Sequence, residues 1–164
     1  MPAEDTLLTI AEFGVALAGF TSIIVVFSRR GDLVDVDRFR VRNALLGSLG
    51  AAFFALVPST LLLLGLSGVS VWQIASATMV LYLLVLAGYS MRMTLRLDEA
   101  SRALLGRVPP FMIGASVLMV VLQALNVLGV AFEPQSGIYV LGLLGLLMTG
   151  AFGFLRTLFV RPSS

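Results

Sequence analysis

The strongest candidate for chemistry is Glu12, the only carboxylate that lies well inside an apolar run of the sequence. The run extends from Thr6 to Ser28, which is long enough to cross a bilayer core of about 30 Å at about 1.5 Å per residue. An ionisable side chain at such a depth is costly to keep, and it commonly marks an ion or proton pathway. The competing interpretation is a protonated or hydrogen-bonded acid that only helps helices to pack.

Uncharged polar side chains occur at a similar depth in three other apolar runs. Gln123 lies near the middle of its run, and Asn126 follows about one turn further along. Polar groups in a membrane gain about 0.6–2 kcal/mol by pairing across helices, so we expect them to form one polar layer. The alternative is that the hydroxyls bond to their own backbone and that the amides only hold helices together. The predicted layer consists of Glu12, Ser59, Thr60, Ser76, Thr78, Gln123 and Asn126.

Most forms of catalysis are excluded by composition. The chain has no Cys and no His, which excludes thiol chemistry, imidazole catalysis and metal sites built from these residues. The sequence shows no nucleophile–base pair, no phosphate-binding loop and no carboxylate-rich metal cluster. Its 11 basic residues are too scattered for a nucleic-acid-binding stripe. We therefore expect no enzyme activity, no cofactor, no metal and no nucleic-acid partner.

The overall composition predicts that the bilayer is the solvent of this protein. Of its 164 residues, 59% are hydrophobic and 12% are charged, and a soluble domain of this length cannot bury so much apolar surface. The first run lacks a basic leader and exceeds signal-peptide length, so we expect a permanent span. The fold class predicted is all-α and polytopic, with one transmembrane domain over residues 1–164. Five spans are expected, at about 6–28, 43–66, 71–91, 111–132 and 138–160.

Helical patterns continue beyond two of these spans. The acidic residues from Asp35 onward favour a helix start, so the second helix is expected to run unbroken from there into its span. The third helical pattern continues to about Leu105, which predicts a helical hairpin outside the membrane. Pro58 is expected to kink the second span, with Ser59 and Thr60 helping to satisfy the carbonyl group that proline leaves without a donor.

Small residues recur at helical spacing in the apolar runs, which is typical of closely packed membrane helices. In the first run, Gly14 and Ala18 lie on one such stripe. Glu12 lies on the adjacent stripe, together with Ala16 and Gly19. The acid is therefore expected beside a tight packing surface.

The distribution of arginine predicts the orientation. All 11 basic residues are Arg, and they follow the first span, follow the third span or lie at the C-terminal end of the chain. The N-terminus and the turns at 67–70 and 133–137 have none. Five spans with the N-terminus outside and the C-terminus inside place every Arg on the cytoplasmic side, as the positive-inside rule requires. The helical hairpin of spans two and three is then cytoplasmic, and four or six spans would leave an Arg-rich loop outside.

The segment AEFGVALAGFTSIIVVFSRR, followed by a helix rich in Asp and Arg, resembles the first span of small bacterial inner-membrane proteins. The resemblance covers the first third of the chain. It implies a multi-pass protein of the bacterial inner (plasma) membrane, and it implies no activity.

Two functional hypotheses from different classes follow. In the first, a homo-oligomer repeats Glu12 as a ring and forms a cation or proton channel, since acidic rings favour cations. Arg29 and Arg30 would then mark its cytoplasmic mouth. In the second, the chain is a non-conducting structural or regulatory subunit that docks a membrane-protein partner through its Gly/Ala faces and cytoplasmic extensions. Lipid or small-molecule binding is a third alternative. Stoichiometry in mild detergent, together with ion flux, distinguishes the first two.

Overall fold

Five α-helices make up the structure, a computed structural model that describes residues 2–28, 35–99, 110–130 and 133–159. These residues contain no strand, so the predicted all-α class is confirmed. Four of the helices, all except α4, are long and apolar enough to cross a membrane, which indicates a membrane protein. The helices are α1 (Pro2–Ser28), α2 (Asp35–Leu63), α3 (Val69–Arg96), α4 (Pro110–Leu128) and α5 (Ser136–Phe159).

The centre of the bundle is the contact between α2 and α5, which depends on glycine. A Cβ atom on Gly47 of α2 would lie 2.8 Å from the backbone nitrogen of Gly150 on α5. On another side of α2, a Cβ atom on Gly14 of α1 would lie 2.6 Å from the carbonyl oxygen of Ser48. A larger side chain at either position would meet backbone, so these glycines set how closely the helices approach.

The remaining helices complete the bundle on two sides. Helix α1 packs against α2 and α5, whereas α4 packs against α3 and α5. Helix α3 contacts α2, α4 and α5. Helices α1 and α4 therefore lie on different sides of the central pair.

The turn between α2 and α3 is tight because two glycines adopt positive φ angles, 86° at Gly65 and 61° at Gly68. The backbone nitrogen of Leu66 donates to the Leu61 carbonyl at 3.1 Å, and that of Gly65 donates to the Leu62 carbonyl at 3.0 Å. These two bonds form a Schellman motif, which satisfies carbonyl groups at the end of α2. Helices α2 and α3 are consequently antiparallel neighbours, as the short turn predicts.

The predicted extension beyond the spans is correct for α2 and wrong in part for α3. Helix α2 begins at Asp35 and continues to Leu63 without a break. Helix α3 ends at Arg96, because Leu97 has extended backbone angles of φ −69° and ψ 143°. The expectation of an unbroken helix to Leu105 is therefore wrong at Leu97. The acidic residues Asp98 and Glu99 that follow are typical of a helix start rather than an interior. Residues 100–109 lie outside the described part.

The two ends of the bundle differ in charge. The Ser90 hydroxyl donates to Asn43 Oδ1 at 3.4 Å, and a Cβ atom on Gly153 would lie 3.0 Å from the Ala44 Cβ. These contacts bring the start of α2 beside the ends of α3 and α5. We call this end of the bundle the arginine end, since it carries every Arg of the described residues: Arg38, Arg40, Arg42, Arg92, Arg96 and Arg156.

Candidate functional site

Glu12 lies on the outer face of α1, where its side chain is exposed. The helix turns a different face to the bundle, on which Leu7, Ile10 and Ala11 are buried. Within the described part of the chain, Glu12 makes no hydrogen bond or ion pair. The carboxylate of Glu12 therefore has no polar partner among the described residues, although the residues around it on α1 are mostly apolar.

The depth of Glu12 agrees with an intramembrane position. The apolar segment of α1 that could span a membrane is Glu4–Ile24, and Glu12 lies about 12 Å from its start. Its neighbours on the same stripe, Ala16 and Gly19, are also exposed. A Cβ atom on Gly19 would meet nothing within 4 Å. We call the exposed stripe of Glu12, Ala16, Gly19 and Ile23 the Glu12 face.

Asn126, by contrast, is fully buried and bonded at both ends of its amide. Its Nδ2 atom donates to the Ser76 hydroxyl at 2.8 Å and to the Gln135 carbonyl at 3.3 Å. Its Oδ1 atom accepts a bond from the Gln135 backbone nitrogen at 2.9 Å. The side chain therefore ties α4 to α3 and to the residue that precedes α5.

Gln123 is fully buried one turn earlier on α4. Its Nε2 atom donates to the Ile138 carbonyl at 2.6 Å. The amide fits there because Gly142 has no side chain, and a Cβ atom at that position would lie 2.5 Å from Nε2. The Oε1 atom is buried without a hydrogen-bond partner among the described residues. Gln123 thus joins α4 to α5 and retains one unused acceptor.

The threonines of the predicted layer bond to their own helices. The Thr60 hydroxyl donates to the Leu56 carbonyl at 3.0 Å, and the Thr78 hydroxyl donates to the Ala75 carbonyl at 2.9 Å. Both side chains are exposed, and Ser59 is half-buried. These contacts are those expected of isolated hydroxyl groups in membrane helices.

One chain therefore does not assemble the predicted layer. Ser76, Gln123 and Asn126 come together between α3, α4 and α5, whereas Glu12 projects from α1 on another side of the bundle. The position of a residue along an apolar run predicts its depth in a membrane. It does not predict the direction in which the side chain points. The predicted mouth residues, Arg29 and Arg30, lie outside the described residues.

A polar contact that the sequence analysis missed lies at Pro58. Proline has no N–H group, so the carbonyl of Phe54 loses its partner within the helix. The Tyr139 hydroxyl of α5 donates to that carbonyl at 2.6 Å. The expectation that Thr60 would serve it is wrong, since its hydroxyl bonds to Leu56. The sequence signal for this bond is the position of Tyr139, which lies in the last apolar run at a depth similar to that of Pro58.

Within the described part of the chain, no group of three or more His, Cys, Asp or Glu could hold a metal ion. Comparisons with protein-family models, with curated proteins and with solved structures give no match to this chain. Only its own residues therefore bear on its function.

Proposed function

We propose that the chain is a multi-pass protein of the bacterial inner membrane, with five spans, the N-terminus outside and the C-terminus inside. The arginine end supports this orientation, because positively charged ends of membrane helices face the cytoplasm. Helix α4, with 19 residues, measures about 28 Å and approaches the thickness of a bilayer core, about 30 Å. Its length supports its assignment as the fourth of five spans.

We further propose that several copies assemble so that their Glu12 side chains line a cation or proton pathway. The observation that carries this proposal is the exposure of Glu12 at membrane depth on the outer face of α1. A carboxylate facing lipid near the bilayer centre costs about 2.5–3.5 kcal/mol on insertion scales. An assembly in which Glu12 faces a water-filled path between copies lowers that cost, and Ala16 and Gly19 allow another helix to approach closely.

We propose a pathway between copies because the buried polar side chains of one chain already join its own helices. The buried amides of Gln123 and Asn126 are engaged in holding α3, α4 and α5 together. The central helices are in contact at Gly47 and Gly150. A symmetric interface, in contrast, repeats one acid around an axis, and a ring of acids attracts cations.

The test is ion and proton flux into liposomes for the parent and for Glu12→Gln. Glutamine keeps the size and hydrogen bonding of the acid and removes its ionisable group. We expect the variant to keep its oligomer size and melting temperature and to lose cation selectivity or proton flux. The matched control is Asp5→Asn, at an exposed acid in the first turn of the same helix, for which flux should not change.

Two results would overturn parts of this proposal. Unchanged flux through Glu12→Gln, in a parent that conducts, would remove Glu12 from the pathway. A parent that assembles and conducts neither cations nor protons would remove the pathway itself.

The second candidate is a non-conducting subunit that docks a larger membrane protein. The observation that favours it is a set of buried hydrogen bonds between helices. Tyr139, Asn126 and Gln123 each join two helices in this way. A bundle whose helices are joined in this way can act as a rigid scaffold. Glu12 would then pair with a polar group of the partner. A purified chain that is monomeric in mild detergent and shows no flux would support this candidate over the first.

A further inference from the structure

A second feature of the arginine end is a contact between α2 and α3. The Cζ atom of Arg42 lies 4.3 Å from the centroid of the Tyr89 ring, which is a cation–π contact. The Arg42 side chain is exposed and Tyr89 is half-buried. The ring holds the guanidinium in place through its π-face, and this contact does not consume the N–H donors.

Two more arginines lie on the side of α3 that carries Tyr89. Arg92 and Arg96 follow Tyr89 by about one and two turns of α3, so all three residues occupy neighbouring positions on one side of the helix. Both arginines are exposed. The Ser90–Asn43 hydrogen bond of 3.4 Å holds α2 and α3 together at this level. We call Arg42, Tyr89, Arg92 and Arg96 the Tyr89 site.

Exposed apolar residues continue from this site toward the middle of both helices. Val85 lies one turn before Tyr89 on α3, and it is 62% exposed. Leu49 lies about two turns after Arg42 on α2, and it is 50% exposed. A ligand with a charged head and a long apolar tail therefore finds both parts of its chemistry along one side of the α2–α3 pair.

We propose that the Tyr89 site binds the phosphate of an anionic lipid headgroup, with an acyl chain along Leu49 and Val85. Guanidinium groups match phosphate because their planar N–H donors bond two oxygens at once. Tyrosine at the end of a membrane helix is typical of the headgroup level, and basic clusters there attract anionic lipids. The inference rests on the proposed membrane location and is independent of the Glu12 pathway.

The test titrates the purified protein in neutral detergent and counts bound molecules by native mass spectrometry. Three probes are compared: phosphatidylglycerol, phosphatidylcholine with the same acyl chains, and inorganic phosphate. We expect saturable binding of phosphatidylglycerol. Each of the other two probes should bind at least about tenfold more weakly. Phosphatidylcholine tests the need for net negative charge, and inorganic phosphate tests the need for the tail.

Variants locate the site. An arginine that bonds the lipid phosphate directly is expected to contribute about fivefold in affinity, so Arg42→Gln combined with Arg92→Gln should weaken binding about 25-fold. The matched control is Arg156→Gln, because Arg156 also lies at the arginine end and its Cζ atom lies 5.5 Å from the Phe152 ring centroid. That control should bind as the parent does. Tyr89→Phe keeps the ring and the affinity, whereas Tyr89→Leu should weaken binding.

Several outcomes would overturn the proposal. Equal affinity for phosphatidylcholine would show a general lipid surface, and equal affinity for inorganic phosphate would show a free-anion site. An equal loss in Arg156→Gln would show that only the total charge of this end matters. If the double variant fails to fold, Arg96→Gln alone changes one exposed side chain, and an unchanged affinity for phosphatidylglycerol would overturn the site.

Discussion

At the scale of single residues, the most informative contact is the one between Tyr139 and the backbone of α2. Pro58 deprives the Phe54 carbonyl of its helical donor, and the Tyr139 hydroxyl replaces it at 2.6 Å. Both Phe54 and Tyr139 are buried, so water cannot take over this bond. The effects of Pro58 and Tyr139 on stability are therefore coupled, although the two residues lie on different helices.

We expect Tyr139→Phe to lower the free energy of unfolding by about 1–2 kcal/mol, since it leaves a buried carbonyl without a partner. In a Pro58→Ala background the new N–H group can serve that carbonyl, so the same change should cost less than half as much. Denaturation of all four proteins in detergent measures both values.

The matched control for this cycle is Tyr82→Phe. The Tyr82 hydroxyl donates to the Leu46 carbonyl at 2.6 Å, but that carbonyl lies in a regular stretch of α2 and keeps its helical donor. Its loss should cost about 0.6 kcal/mol, with or without Pro58. An equal cost of Tyr139→Phe in both backgrounds would contradict the proposed link to proline.

The pairing of Gln123 and Asn126 across helices was predicted from the sequence, whereas the direction of Glu12 was not. The depth of Glu12 and the burial of Gln123 and Asn126 follow from their places in apolar runs. The outward direction of Glu12 does not follow, because α1 is apolar on all sides and hydrophobic periodicity then fails to identify the inner face. The partner of the Phe54 carbonyl was missed for a related reason, since contacts between distant helices leave no local pattern.

At the scale of helices, the sequence predicted the five described helices and most of their ends to within about one helical turn. Runs of apolar residues mark helices that lipid surrounds, and turns with Gly, Pro and Asp mark their limits. The largest difference is at the end of α3, where the pattern after Arg96 is helical but the backbone at Leu97 is extended. The residues after Arg96 are compatible with a continued helix and also with the start of a new one. Periodicity alone therefore could not decide between the two.

The contact between α2 and α5 gives a prediction about helix packing. Gly47→Ala would place a Cβ atom 2.8 Å from the Gly150 nitrogen and 3.1 Å from its Cα atom. The helices must then separate, and we expect a loss of about 1–3 kcal/mol in unfolding free energy. Gly88→Ala is the matched control, because a Cβ atom there meets nothing within 4 Å.

The control should be neutral or more stable by up to about 1 kcal/mol, since alanine favours the helix over glycine. Denaturation in detergent compares the two variants with the parent. A Gly47→Ala protein as stable as the parent would show that α2 and α5 do not meet at this position.

At the scale of the whole molecule, the separation of charge between the two ends gives a prediction about orientation. The chain has no Cys, so single cysteines can be labelled without background. We expect Ser70→Cys and Ser136→Cys to react from outside intact cells, because both positions lie at the end opposite the arginines. Glu99→Cys should react only after the membrane is permeabilised. Labelling of Ser70→Cys or Ser136→Cys only from the cytoplasmic side would contradict the proposed topology.

Two glycines with similar surroundings in a single chain can test which surface joins the copies. A Cβ atom on Gly19 or on Gly88 meets nothing within 4 Å, so isoleucine at either position projects into open space and a single chain tolerates both. Gly19 belongs to the Glu12 face, whereas Gly88 lies on α3. If copies pack through the Glu12 face, Gly19→Ile forces their helices apart, because close approach in membranes depends on small residues.

We therefore expect a smaller assembly for Gly19→Ile in mild detergent and an unchanged assembly for Gly88→Ile. Light scattering coupled to size-exclusion chromatography gives the mass of each, and the melting temperature confirms that each chain is folded. Because both changes add the same side chain at an exposed helical glycine, a difference between them comes from contact with another copy. Equal masses for the two variants and the parent would show that the Glu12 face is not the interface, and Glu12 could not then line a pathway shared by copies.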